Sequence, residues 1–141
     1  MNSIPQQLLI CGTVLFLVSL VMGFAMPILT NPRMGVEAHV TGLASSGMAL
    51  WLLGLMWNRV TLPASAERPA QILAVAGLYV TFGSLLLAAL WGTSRATPIA
   101  GAGHQASPAR EAVVSVLLAG GSIATVVAFV LVLWGLWAWK N

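Results

Sequence analysis

From Met1 to Pro32 no side chain carries a charge, and the stretch Leu8 to Leu29 within it is almost wholly apolar. As a helix rising about 1.5 Å per residue, that stretch measures about 33 Å, enough to cross a hydrocarbon core of about 30 Å. A chain that opens this way is built for a bilayer. Met1 to Gln7 lacks the basic side chains that precede a cleaved signal peptide, so the segment is expected to remain in the mature protein. Three further apolar runs follow, at about 36–57, 70–91 and 112–139, each bounded by Pro, Arg or Glu. The expected fold is all-α: an integral membrane four-helix bundle, one domain over 1–141 with spans at about 8–29, 36–57, 70–91 and 112–139. Its loops are short and both termini lie on the same side.

Composition excludes the alternatives. Of 141 residues, 59% are hydrophobic and 6% charged, where soluble domains carry about a quarter charged residues. The basic isoelectric point does not indicate nucleic acid, because the six Lys/Arg are spread singly instead of forming a stripe that could track phosphates. The single cysteine, Cys11, sits in an apolar run and reads as a small buried hydrophobe; it cannot build a disulfide or a thiolate metal site within one chain. Trp57, Trp91, Trp134, Trp137 and Trp139 fall near run ends, where an indole sits at headgroup level; Trp51 lies deeper. Arg59, Arg68 and Lys140 balance Arg33, Arg95 and Arg110 across the membrane, so the basic residues set no orientation. Glu37 and Glu111 on the Arg33 side favour cytoplasmic termini, in what is expected to be a bacterial inner membrane protein. Glycines and serines within the spans (Gly42, Gly47, Gly54, Gly77, Gly83, Gly120, Gly121) suit close helix packing in lipid. No internal repeat supports an inverted-repeat transporter.

With so few charges, their grouping becomes informative. Arg33, Glu37, Arg95, Arg110 and Glu111 gather at one mouth of the bundle together with His39 and His104. His39, near the start of the second helix, shares a face with Leu43 and Ser46. It reads either as a structural histidine bonded to a loop carbonyl or to Glu111, or as an axial haem ligand or general acid/base. Glu37 and Glu111 each suit the positive end of a helix, and Arg33 and Arg110 are positioned to pair with them. Hydroxyl patches run inward: Thr41, Ser45 and Ser46 on the second span, Tyr79, Thr81 and Ser84 on the third. Tyr79, the only tyrosine, needs a partner for its hydroxyl in hydrocarbon and is a candidate donor to a ligand. His104 lies in a glycine-rich loop, Thr93 to Arg110, whose composition cannot continue a helix and which is expected to fold back over the bundle. No P-loop, GxGxxG, CxxC, HExxH or nucleophile-elbow pattern occurs.

The stretch Asn31-Pro32-Arg33-Met34-Gly35 with Ala38-His39, Gly42-Leu43, Gly47-Met48 and Gly54-Leu55-Met56-Trp57 resembles the small bacterial hydroxylaminobenzene mutases. The second half agrees through Ala88-Ala89-Leu90-Trp91-Gly92, Pro98-Ile99-Ala100, Gly103-His104 and Pro108-Ala109-Arg110-Glu111. Thr41 and Ser45 depart from that pattern, standing where an acidic residue and an amide are usual. The resemblance implies a membrane isomerase of nitroarene degradation that rearranges an N-aryl hydroxylamine to a 2-aminophenol. A more distant similarity to styrene oxide isomerase implies that Ala38-His39 marks a haem b ligand, with His39 on ferric iron. Tyr79, Ser45 and Ser46 would then steer the substrate hydroxyl, and Glu37 would orient His39 or shuttle protons. Without haem, Glu37 or His104 would protonate the leaving hydroxyl. The same relative implies a homo-oligomer, a trimer by analogy. The competing expectation is a small haem-binding or quinone-linked membrane anchor for electron transfer, with no catalysis of its own.

Overall fold

A computed structural model describes residues 3–139, and Lys140 lies outside them. Four helical rods long and apolar enough to cross a membrane, at Ile4–Ile28, Pro32–Arg59, Ala64–Trp91 and Pro108–Ala138, form the expected all-α bundle of a membrane protein. In order the helices are α1 (Ile4–Ala25), α2 (Pro32–Val40), α3 (Met48–Met56), α4 (Ala64–Trp91), the one-turn α5 (Pro98–Gly101) and α6 (Pro108–Ala138); a π-helical segment, Thr41–Gly47, joins α2 to α3 in one continuous rod.

Each rod is longer than its apolar run, and the first, second and fourth begin at a polar side-chain cap. Ser3 accepts from Gln6 N–H at α1 and Ser107 from Arg110 N–H at α6, with Pro5 and Pro108 in the first turns where a missing N–H costs nothing. The second helix starts at Pro32 instead of about Val36. Asn31 caps it by accepting from Met34 N–H at 3.1 Å, and Pro32 occupies its first position. Pro69, read from sequence as a boundary, lies inside α4 near its start; only one backbone hydrogen bond is lost there, within reach of the polar surface.

The α1 rod packs along the α2–π–α3 rod, α4 bridges to α2, and α6 packs almost solely on α4. Glycines make these approaches possible. A Cβ on Gly77 would stand 2.9 Å from the Gly121 carbonyl, and one on Gly121 would stand 3.0 Å from the Gly77 carbonyl, so α4 and α6 meet backbone to backbone. Gly12 and Gly47 are related in the same way between α1 and the π segment, at 2.9 and 3.2 Å. Gly42 is pressed against the Ser19 hydroxyl and Phe82. These contacts account for the π geometry. An α-helix would turn a residue five positions on by about 140°, whereas i→i+5 closure brings the two back to one face, so both Gly42 and Gly47 reach α1.

One end of the bundle gathers Gln7, Arg68 and Gln71, with Thr61 N–H donating to the Gly135 carbonyl and Arg59 lying 5.9 Å from the Trp139 ring centroid. The opposite end carries the histidines.

Candidate functional site

The histidine-bearing mouth is assembled by two buried polar residues. Asn31, 1% exposed, caps α2 with its Oδ1 and donates through Nδ2 to the carbonyls of Ala100 and Gly101, at 3.1 and 3.0 Å. Its backbone N–H donates to the Ala89 carbonyl, and the Thr30 hydroxyl to the Leu90 carbonyl, tying the first loop to the end of α4. Glu111 accepts the backbone N–H groups of Ser94, Arg95 and Ala106, the closest at 2.9 Å. The Thr93 to Arg110 loop thus folds back over the start of α2. The expected pairing of Glu111 with an arginine does not form: its carboxylate is committed to loop amides, and Arg110 lies over the Trp91 ring at 5.6 Å.

Below this strap stands His39, two turns into α2 and half-buried. Its Nδ1 lies 2.7 Å from the backbone carbonyl of Ser19 in α1, and its ring packs on Gly23, where a Cβ would come within 3.0 Å of Cε1. Neither a loop carbonyl nor Glu111 holds the ring. Because a carbonyl only accepts, Nδ1 carries the proton, which leaves the Nε2 lone pair of the neutral imidazole available.

The other sequence-predicted residues are distributed around this histidine, not gathered on it. Glu37 is exposed on α2 and lines a cavity of about 360 Å³ with Thr97, Pro98, Ile99 and Ala100 of the strap; Ser19, not Glu37, orients His39. His104 bonds through Nδ1 to the Gly101 carbonyl at 3.0 Å and stands by Gly92, at the same mouth. Tyr79 does not join the mouth. Its hydroxyl donates to the Cys11 carbonyl at 2.7 Å, stapling α4 to α1 deeper in the bundle. Ser45 and Ser46 face α4 and α6, in a cavity with Thr81 and Thr125, whereas His39 faces α1.

The chain matches the styrene oxide isomerase family over residues 4–137. It belongs to that family. Hydroxylaminobenzene mutase HabB of Ectopseudomonas oleovorans is 39% identical over 134 residues, covering 94% of this chain and 81% of the relative. Hydroxylaminobenzene mutase HabA of the same organism is 40% identical over 108 residues, covering 76% of this chain and 79% of the relative. No solved structure matches the chain. This styrene oxide isomerase family member is therefore an isomerase, and the reading of a non-catalytic anchor is set aside.

Sequence reasoning missed two residues that build the isomerase's mouth. Asn31 was signalled by the Asn-Pro pair, a cap followed by a first-turn proline. Ser19 carried no signal, since it acts through its backbone carbonyl across 20 positions. The isomerase's donor set also bears on a haem. Among the described residues no three His, Cys, Asp or Glu side chains come together as a bare metal ion would need. One imidazole, oriented by a carbonyl through Nδ1 and open at Nε2, fits an axial haem ligand.

Proposed function

We propose that this isomerase rearranges N-aryl hydroxylamines of the hydroxylaminobenzene type to 2-aminophenols, at a site centred on His39. The observation that carries the reading is the 2.7 Å contact from His39 Nδ1 to the Ser19 carbonyl, which holds one imidazole at the mouth with a free Nε2. The names of the two relatives support the substrate class. The reaction conserves composition: the N–O bond breaks, a C–O bond forms at the ortho carbon, and the proton lost there is balanced by one gained on nitrogen. A ferric haem b held by His39 Nε2 would supply Lewis acidity toward the hydroxylamine oxygen. Glu37, exposed beneath the strap, serves as the proton relay at the rim, and His104 is the second titratable group there. The neutral aromatic substrate partitions into lipid, and the apolar spans keep water from the electrophilic intermediate.

A homo-oligomer, a trimer by analogy with the family, goes with this reading. It is supported by the large apolar faces left uncovered on the first rod and on α6, among them Phe24, Ile28, Ile123 and Val130. Residence in a bacterial inner membrane with cytoplasmic termini belongs to the same proposal.

The test is to supply hydroxylaminobenzene to the detergent-purified protein and chromatograph the products. Formation of 2-aminophenol is expected, and its absence overturns the assignment. An absorption spectrum of the same sample should carry a Soret band that disappears in His39→Ala. Full turnover without that band removes haem from the proposal and leaves the mutase reading standing.

A further inference from the structure

At the end of the bundle opposite His39, an open groove of about 390 Å³ runs between α1 and α4. Ile10 and Cys11 form one wall and Ile72, Val75 and Ala76 the other, with Gln7 and Gln71 at the outer end. From Gln71 to Ala76 the groove descends about 7.5 Å along α4, and Ile10 and Ile72 stand exposed at its lips. Its polar end is organised around a cation. Arg68 Nη1 donates to Gln7 Oε1 at 3.3 Å and to Gln71 Oε1 at 3.2 Å, and Gln71, 5% exposed, donates in turn to Gln7 Oε1. Both partners of the guanidinium are neutral amides. Among the described residues no carboxylate pairs with Arg68, and the adjacent Glu67 is engaged by Trp57 Nε1 at 3.2 Å. Arg68 therefore keeps its full charge, and its Nε–Nη2 edge, the fork that can hold a phosphate in two parallel bonds, is not used within the chain. Trp57 and Trp139 mark this end as the membrane interface, so Arg68 stands at headgroup level while the groove below it enters the acyl region.

We propose that this groove binds one anionic glycerophospholipid, with its phosphate on Arg68 and the first part of an acyl chain laid between α1 and α4. A helix filling the groove would cover the apolar walls and leave the cation at its end without a counter-charge. A soluble anion would reach the cation and leave the walls bare. A phospholipid satisfies both, because its charge and its chain are joined in the order that the interface imposes on Arg68 and the groove. The two glutamines hold the guanidinium in place beforehand, so less side-chain freedom is lost when the phosphate arrives. The bound lipid also ties together two helices that touch directly at few points, the Tyr79 hydroxyl on the Cys11 carbonyl being one. This site lies away from His39 and stands whatever reaction occurs there.

The experiment uses the full chain, delipidated in detergent, with defined lipids added back. Cys11, the sole cysteine of the sequence, lies in the groove wall, so its alkylation by a membrane-permeant maleimide reports occupancy without an engineered thiol. Phosphatidylglycerol at about four times its half-saturating mole fraction should slow the reaction about fivefold, because only the unliganded fraction reacts. Phosphatidylcholine with the same chains should leave the rate unchanged. Arg68→Gln should raise the phosphatidylglycerol requirement about tenfold. Ile72→Trp fills the groove from its exposed lip and leaves Arg68 in place; it should eliminate the single phosphatidylglycerol per chain that native mass spectrometry detects on the parent protein. Circular dichroism of both variants controls for folding, and Ile72→Trp decides the matter if Arg68→Gln does not fold. Equal slowing by the two lipids, or slowing undiminished in Arg68→Gln, means that the lipid acts only as a solvent and overturns the proposal. Slowing by inorganic phosphate alone leaves the groove no part in binding and overturns it as well. A Cys11 that resists alkylation in lipid-free micelles until dilution dissociates the protein means that a second copy covers the groove, which also overturns it.

Discussion

His39 and Ser19 are joined across two helices by a 2.7 Å contact from imidazole Nδ1 to a backbone carbonyl, so the tautomer of the one histidine within a span is set by main chain that no side-chain substitution can remove. The neighbouring Gly23 makes the contact adjustable. A Cβ there would stand 3.0 Å from Cε1 and 3.2 Å from Nδ1. Gly23→Ala should push the ring aside by a few tenths of an ångström and lower turnover about ten- to a hundredfold, and Gly23→Leu should abolish it. Steady-state kinetics on hydroxylaminobenzene, with helicity by circular dichroism as the control for folding, decide the matter.

Asn31 serves two elements at once, and its two halves can be separated. Asn31→Ala should cost about 2 kcal/mol, combining a lost N-cap with the Ala100 carbonyl left unpaired, while the Gly101 carbonyl keeps its bonds from His104. Asn31→Asp keeps the acceptor for Met34 N–H but turns an oxygen toward the Ala100 and Gly101 carbonyls. It should leave α2 intact and free the strap, seen as new proteolytic cleavage between residues 94 and 107. Cleavage confined to α2 would contradict this division of labour.

Glu111 holds the strap from its other side. In Glu111→Gln an NH₂ group faces amides that formerly donated to oxygen, so the amides of Ser94, Arg95 and Ala106 should exchange hydrogen about tenfold faster or more. Val114, buried one turn further along α6, should be unchanged. Uniform acceleration along α6 would show that Glu111 stabilises the helix and not the loop.

Tyr79→Phe separates a staple from a catalytic donor. Loss of the bond to the Cys11 carbonyl should lower stability by about 0.5–1.5 kcal/mol. Turnover should stay within about twofold of the parent protein, since the hydroxyl is already committed away from the mouth. A hundredfold fall in kcat at unchanged Tm would return Tyr79 to the chemistry.

The parts of this molecule that were legible from sequence are those where local chemistry decides. Apolar runs marked the four rods, and sparse charges at Arg33, Glu37, Arg95, Arg110 and Glu111 marked the mouth. Helix ends were legible in principle through Asn31-Pro32 and Ser107-Pro108, yet apolar runs alone placed them a turn too far in, because caps are polar and lie outside the run. The positions of Ser45, Ser46 and Tyr79 were not legible. Hydropathy has no signature for a π turn, and the acceptors for Tyr79 and His39 are backbone carbonyls, which every residue possesses.

The π segment also has a meaning for how this chain tolerates changes in length. Gly42 and Gly47, five residues apart, both rest on α1; four residues apart in an ordinary α-helix they would stand only about 40° out of line and about 6 Å apart along the axis. Deleting one residue between them would restore regular winding without disturbing the anchors on either side. The bulge therefore behaves as a one-residue insertion invisible to the scaffold. What such an insertion alters is which hydroxyls look toward α4 and α6, so a length change here would rewrite the cavity while the bundle around it stayed the same.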